Sequence, residues 1–171
     1  MPSRRLAARW SRRSAAACGA ALVGTALTGC VAAVPATPAE HATDPQCASL
    51  ILATPDHLGD GLDRRRTTAQ ATTAWGSPAV LLRCGLEPPG PTTDRCETVT
   101  TPGGPSVDWL VLGGGGGDPA GTDDWTFVTY GRVPTVEVLV PAAVAGARST
   151  AFLDQLGPAI VAHSEQQRAC L

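Results

Sequence analysis

The chain has 171 residues, with 13 arginines and no lysine against 15 acidic residues, and a formal net charge of −2. Residues 1–29 contain five of the arginines and none of the acids, so the rest of the chain carries eight arginines against 15 acids, a net charge near −7. So acidic a domain is a poor nucleic-acid binder, and it would not be held on anionic lipid by electrostatic attraction.

Residues 1–29 have the pattern of a secretory signal peptide. Five arginines precede an apolar stretch at residues 14–29, which is shorter than the roughly 20 residues of a membrane-spanning helix. It ends in Leu27-Thr28-Gly29-Cys30, and a small residue directly before a cysteine is typical of a lipoprotein signal. We therefore predict that Cys30 is acylated (diacylglycerol and palmitate) and anchors the protein to the outer face of the cytoplasmic membrane. A plain secretory signal with a chance cysteine is the alternative, and both Sec and twin-arginine export stay open.

Residues 30–43 comprise the lipidated cysteine and a segment rich in Ala, Pro and Thr. We expect a disordered tether that extends on the order of 40 Å from the membrane, at about 3.1 Å per residue. Its threonines beside proline leave O-glycosylation undecided. Residues 44–171 are then long enough for a single domain with its own core.

The folded part is predicted to begin with a short helix. Asp44 is a suitable N-cap, Pro45 fits the first helical position, and Pro55 limits the helix. Its apolar side would comprise Cys47, Leu50, Ile51 and Leu58.

Extended patterns follow, and a second helix is predicted near the C-terminus. The strand candidates are residues 62–74, 79–86, 107–112, 125–130 and 135–140. The run at residues 79–82 is apolar on both faces, which favours a central strand, and a proline-rich loop at residues 87–95 follows it. The C-terminal helix spans Phe152 to His163, and Gly157-Pro158 must kink or restart it. The pattern predicts an α+β domain with an antiparallel-rich sheet of about five strands, flanked by an N-terminal and a C-terminal helix.

Four cysteines remain after Cys18 and Cys30 are assigned to the signal and the lipid. They are Cys47, Cys84, Cys96 and Cys170, and an even number in an exported domain indicates two disulfides with three possible connectivities. A zinc site is the weaker alternative because there is no Cys-x-x-Cys pair. If both helices cover one side of the sheet, the bridges are Cys47–Cys170 and Cys84–Cys96.

Short motifs spread over the folded part carry a family resemblance. They are Cys47; the arginine pair within Arg64-Arg65-Arg66; Ala74-Trp75-Gly76-Ser77-Pro78; Leu82-Arg83-Cys84-Gly85; Val107-Asp108-Trp109; Gly131-Arg132-Val133-Pro134; and Val138-Leu139-Val140-Pro141. In these motifs the chain resembles an uncharacterised actinobacterial family, the domain of unknown function numbered 3515. The resemblance implies an exported or membrane-anchored envelope protein, and it implies no activity, because none is established for the family.

One glycine-rich and acidic loop invites two functional interpretations. Residues 113–117 are all glycine, but no helix start or lysine follows them as in a phosphate-binding loop. Asp118, Asp123 and Asp124 miss the spacing of a calcium-binding loop. We therefore expect a hairpin loop with solvating charges and no metal site.

The sequence offers no constellation for nucleophilic catalysis. His41 lies in the tether, and no acidic residue has a sequence spacing from His57 or His163 that would indicate a catalytic pair. Ser77 lies between Gly76 and Pro78, which is not a nucleophile elbow. We expect no catalytic residue and no cofactor.

Arginine and tryptophan provide the strongest candidate binding surface. We predict that Arg65, Arg66, Trp75, Arg83 and Arg132 converge on one face near the ends of adjacent strands and contact an anionic group, because arginine binds carboxylate and phosphate through a planar fork. The simpler interpretation is that these arginines pair with Asp60, Asp63, Asp108 or Glu137 and brace the sheet.

Two function classes remain. The first is a non-enzymatic envelope lipoprotein that binds an envelope protein or an anionic wall or lipid component. The alternative is a hydrolase or transferase acting on cell-wall material. An enzyme should show a concave pocket with titratable groups of perturbed pKa, whereas a binding module could show a shallow Arg/Trp surface. The sequence does not predict the oligomeric state.

Overall fold

The structure is a computed structural model that describes residues 32–113, 123–147 and 150–171. The predicted signal peptide, Cys30 and Asp118 lie outside these residues. The helices are α1 (Pro45–Ala53), α2 (Ala142–Ala147) and α3 (Gly157–Ala162), and a 3-10 helix (Thr150–Leu156) directly precedes α3. The strands are β1 (Arg64–Arg65), β2 (Thr72–Trp75), β3 (Val80–Leu86), β4 (Cys96–Thr100), β5 (Ser106–Leu112), β6 (Trp125–Thr129), β7 (Arg132–Val133), β8 (Thr135–Val140) and β9 (Glu165–Gln166).

Helix α1 forms where its capping residues predict. The Asp44 side chain accepts a hydrogen bond from the Gln46 backbone N–H at 2.8 Å, which satisfies one of the free donors of the first turn, and Pro45 follows at the first position. Cys47 and Leu50 are buried. The helix ends at Ala53, two residues before Pro55.

Seven of the strands form one antiparallel sheet in the order β1-β2-β3-β8-β6-β5-β4, and β7 pairs with β9 in a separate ribbon. The α+β class and the antiparallel sheet are confirmed, and β3 is an interior strand as its apolar run predicts. The expected count of about five strands is wrong. The prediction lacked β4, because this edge strand buries little and its sequence, CETVT, has only a weak apolar pattern.

The helices occupy one face of the sheet. Side chains alternate along each strand, so Val80 and Leu82 of β3 share this face with Val136 and Val138 of β8, and all four are fully buried. Helix α1 contacts β3, helix α3 contacts β5, and the two helices contact each other. The arrangement of the flanking helices differs from the prediction, because the C-terminal part comprises two short α-helices with a 3-10 helix between them instead of one helix.

The opposite face of the sheet is partly covered by the segment that was predicted to be a disordered tether. Within residues 32–43, the Val34 N–H donates to the Arg66 carbonyl at 2.8 Å, and the His41 N–H donates to the Gly85 carbonyl at 2.7 Å. Gly85 permits this approach: its φ is +97°, and a Cβ there would lie 2.5 Å from the His41 carbonyl. The tether prediction therefore does not hold for residues 32–43, which are extended but bound to the domain.

The disulfides are Cys47–Cys84 and Cys96–Cys170, with Cα–Cα distances of 5.5 and 6.0 Å. The predicted pairs Cys47–Cys170 and Cys84–Cys96 are wrong. Cys84 belongs to the helix-side face of β3 and meets α1, whereas Cys96 is aligned with Leu110 on the opposite face of a distant edge strand. The C-terminal tail passes β7 after α3 and reaches that strand, where the Cys170 N–H donates to Asp108 at 3.0 Å. Two disulfides indicate an oxidising environment outside the cytoplasm.

Candidate functional site

Trp75 is a core residue and does not contribute to a surface. Its side chain is fully buried on the helix side of the sheet, and its indole N–H donates to the Pro55 carbonyl at 2.9 Å. The bond ties β2 to the loop after α1. The structure therefore assigns Trp75 a packing role.

Arg83 pairs with an acidic residue, as the simpler interpretation of the sequence predicts, whereas Arg132 is buried against polar groups of the C-terminal segment. Two guanidinium nitrogens of Arg83 lie 2.6 Å from Oε2 of Glu137, its neighbour across β3 and β8. Arg132 is 4% exposed and donates to Ser164 and to Gln166 at 3.4 and 3.2 Å. Desolvation lowers the pKa of Arg132, and the charge of Asp108 acts in the opposite direction. The prediction of one surface formed by all five residues is wrong.

The two remaining predicted residues, Arg65 and Arg66, lie together at the open edge of β2. Among the described residues, strand β1 pairs only with Ala74 and Trp75, so no described strand neighbours the edge beside Thr72 and Thr73. A cavity of about 660 Å³ occupies this edge. We call it the arginine pocket, and its lining residues are Asp56, Arg64, Arg65, Arg66, Thr67, Thr72 and Thr73.

Two of the three arginines already have structural partners. Arg64 donates to the carbonyls of Ile51 and Thr54 at 2.7 and 3.1 Å, which satisfies acceptors at the C-terminal end of α1. Arg65 donates to the carbonyls of Gly76 and Ala32 at 3.1 and 3.0 Å. These bonds fix both guanidinium groups in the wall of the pocket.

Two of the lining residues carry polar groups that no described protein atom satisfies, and the strand register places their side chains on opposite faces of the sheet. Nε of Arg65 and the hydroxyl of Thr73 are buried without a hydrogen-bond partner, and Thr73 is only 2% exposed. Arg66 is exposed, and among the residues that the structure describes it makes no side-chain hydrogen bond or ion pair. A buried polar group left unpaired costs about 1–3 kcal/mol. Of the lining residues, Arg66 presents an exposed guanidinium from which a bound anion could accept hydrogen bonds.

The surface predicted from sequence included Arg65 and Arg66. It did not include Arg64 or Thr73. Thr73 has no charge and lies in a strand of mixed character, so its residue type gives no signal. The pairing of β1 with β2 brings Thr73 into the pocket lining, with its side chain on the same face of the sheet as Trp75 and Arg64.

A second polar cluster lies where residues 32–43 meet the proline-rich loop. Ligand atoms of Glu40, His41 and Glu87 lie within 4.8 Å of one another, and all three residues are exposed. Nε2 of His41 is 2.9 Å from Glu87, and this hydrogen bond is the main cause that raises the pKa of His41 above 6.5. Because no ligand atom is buried, the His41–Glu87 bond is sufficient to explain the cluster.

The histidines form no nucleophile–base pair in the part of the chain that is described. Nδ1 of His57 is 2.7 Å from Asp63, but both side chains are more than two-thirds exposed. No hydrogen bond between a histidine ring and a Ser, Thr or Cys side chain occurs among residues 32–113, 123–147 and 150–171.

The model of a family described as "Protein of unknown function (DUF3515)" matches residues 14–169. No curated protein and no solved structure matches the chain. Across the described ranges, no helix has the length and apolar character needed to cross a membrane.

Proposed function

The chain belongs to the DUF3515 family of proteins of unknown function, and because that description assigns no activity, we propose a function from the chain's own residues: it is an exported, lipid-anchored binding protein that holds an anionic group in the arginine pocket. The observation that carries the proposal is the cluster of three arginines around one pocket, in which Arg66 is exposed and makes no side-chain hydrogen bond or ion pair with a described residue.

Export and anchoring are supported by the signal pattern that ends at Cys30 and by the oxidising environment that two disulfides require. Acyl chains supply the membrane affinity. At about 0.8 kcal/mol per buried CH₂, two or more chains hold a protein stably. The acidic remainder of the chain contributes nothing to that attachment.

The chemistry of the pocket selects for oxygen anions. A guanidinium offers planar N–H donors that match carboxylate and phosphate oxygens. Asp56 lies 3.8 Å from Arg64 and compensates part of that charge, but it does not contact Arg65 or Arg66. Two cationic groups therefore remain for a ligand.

The position of the pocket along the chain connects it to the anchor. Arg65 binds the carbonyl of Ala32, which is two residues after Cys30, and two residues span at most about 7 Å. A lipidated Cys30 would therefore keep the pocket close to the membrane surface. The ligand is then an anionic group of a membrane or wall component, or a carboxylate on a membrane-bound partner.

The proposal is tested by titrating the full-length protein with inorganic phosphate and with citrate while the Nε–H signal of Arg65 is followed by NMR. We expect saturable shifts. Arg66→Ala should weaken binding by about tenfold or more, because a charged hydrogen bond contributes about 1.5–3 kcal/mol. Arg168→Ala, which removes an exposed arginine outside the pocket, is the matched control. If neither anion shifts the Arg65 signal, the anion-binding function is wrong.

A further inference from the structure

A second cavity lies on the helix side of the sheet, at the opposite end from the arginine pocket. It is formed by β4, β5 and β6 and closed by the 3-10 helix, with a volume of about 290 Å³. We call it the aromatic pocket. Its apolar walls are Trp109, Trp125, Phe127, Val99, Val111 and Leu153.

The aromatic rings give the pocket flat walls. Trp125 stacks on Phe127 with ring centroids 5.9 Å apart and planes at 11°, and Trp109 meets Phe127 edge to face at 6.5 Å. Phe127 is buried, whereas Trp125 is only partly buried. A planar apolar surface is thus open to a ligand that enters the cavity.

One lining residue of the aromatic pocket carries an unsatisfied donor. Trp109 is fully buried, and no described residue accepts a hydrogen bond from its indole N–H. Trp75 is equally buried, but its indole N–H is bonded to the Pro55 carbonyl. Buried tryptophan N–H groups usually find a partner, so the unpaired N–H of Trp109 points to an acceptor that the ligand brings.

The rim of the pocket carries a donor and an acceptor. Nε of Arg95 is 2.7 Å from Oε1 of Glu97, and both side chains remain largely exposed, at 64% and 49%. Their outer atoms can therefore bind a ligand without breaking a buried ion pair. The carboxylate of Glu97 disfavours an anion at this place.

We propose that the aromatic pocket binds one pyranose ring of a neutral saccharide. The C–H face of the ring packs on the indole of Trp125, and a ring hydroxyl or acetamido carbonyl accepts the N–H of Trp109. Further hydroxyls bind Arg95 and Glu97, because a hydroxyl can accept a hydrogen bond from Arg95 and donate one to Glu97. A hydrocarbon would leave the Trp109 N–H unpaired, and a carboxylate or phosphate would meet Glu97. This site is separate from the arginine pocket and independent of the lipid anchor.

The test uses the full-length protein in a detergent without a sugar headgroup, titrated with methyl glucopyranoside and with N-acetylglucosamine. The indole N–H signals are followed by NMR and assigned with Trp109→Phe. We expect a saturable shift of the Trp109 signal, while the signal of Trp75, whose N–H is already bonded, stays in place. The absence of any Trp109 shift at the highest soluble concentration of both sugars would overturn the proposal.

Variants locate the binding. Trp125→Ala should lower the affinity by about tenfold, since the stacking surface is lost. Glu97→Ala, at an exposed position that leaves the fold intact, should lower it several-fold. Leu52→Ala, which removes an exposed apolar side chain on α1, should have no effect. If cyclohexanol bound as tightly as the sugars, or if Trp125→Ala and Glu97→Ala both kept full affinity, the pocket would not be a saccharide site.

Discussion

At the scale of single residues, the ion pairs of the arginines differ in how deeply they are buried. Arg83 is tied to Glu137, whose side chain is 10% exposed, whereas Arg95 is tied to Glu97 at the surface. Removing one partner of a buried ion pair strands the other charge in a poorly solvated place. Surface pairs contribute little because water screens them.

Arg83→Ala should therefore lower the free energy of unfolding by about 2–3 kcal/mol at neutral pH, somewhat less than for a fully buried pair, because the Arg83 side chain is 24% exposed. Arg95→Ala, the matched surface pair, should cost less than about 1 kcal/mol. Urea denaturation measures both. Equal losses in the two variants would show that Glu137 is solvated after all.

His41 gives a residue-scale prediction that depends on pH. Its hydrogen bond to Glu87 is the largest cause that raises its pKa above 6.5, and the charges of Glu40, Glu87 and Asp44 act in the same direction. A raised pKa in the folded state means that the protonated form stabilises the fold. That contribution is fully present below pH 6.5 and is lost as the pH rises through the folded-state pKa.

Glu87→Gln should lower the pKa of His41 in an NMR titration, and it should reduce the melting temperature below pH 6.5 but not at a pH well above the folded-state pKa. Glu40→Gln is the control, because Glu40 acts only through its charge and makes a smaller contribution. A Glu40→Gln effect as large as that of Glu87→Gln would contradict the hydrogen bond as the main cause.

At the scale of elements, two glycines hold the terminal segments of the described chain against the domain. Gly85 lies under the backbone of His41. A Cβ on Gly131, whose φ is +65°, would lie within 2.3 Å of the Arg168 carbonyl. Both positions combine a positive φ with a close approach of another backbone, which only glycine allows. The sequence contains these glycines, but nothing local indicates which segment will lie on them.

Gly85→Ala should displace residues 32–43, because the new methyl group and the His41 carbonyl cannot occupy the same space. We expect faster proteolytic cleavage within that segment and a lower melting temperature. Gly90→Ala is the control, because a Cβ at Gly90 meets no atom within 4 Å. Unchanged cleavage in Gly85→Ala would contradict the packing of the segment on β3.

At the scale of the whole molecule, local features could be predicted from sequence and long-range pairings could not. The Asp44 cap, the apolar run of β3 and the strand at residues 135–140 depend on features within a few residues, and each is confirmed. The disulfides depend on the path of the tail after α3, which carries Cys170 across the sheet to β4. The arginine pocket depends in turn on how far β1 pairs with β2. Because neither the disulfide pairing nor the arginine pocket depends on a periodic pattern, composition and residue spacing give no signal for either.

The attachment to a membrane is the prediction that concerns the whole molecule. Cys30→Ala removes the thiol directly after Gly29, to which the lipid would be attached. Acylation and the cleavage coupled to it should therefore both fail. The protein should then keep its signal peptide in mass spectrometry and lose the acyl mass. Cys18→Ala, which removes a cysteine within the apolar stretch, is the control and should be processed and acylated normally. A Cys30→Ala protein that is still cut after Gly29 and still partitions into detergent would place the anchor elsewhere. The arginine pocket would then no longer be kept at the membrane surface. Its connection to the anchor is the hydrogen bond from Arg65 to Ala32, which is two residues after Cys30.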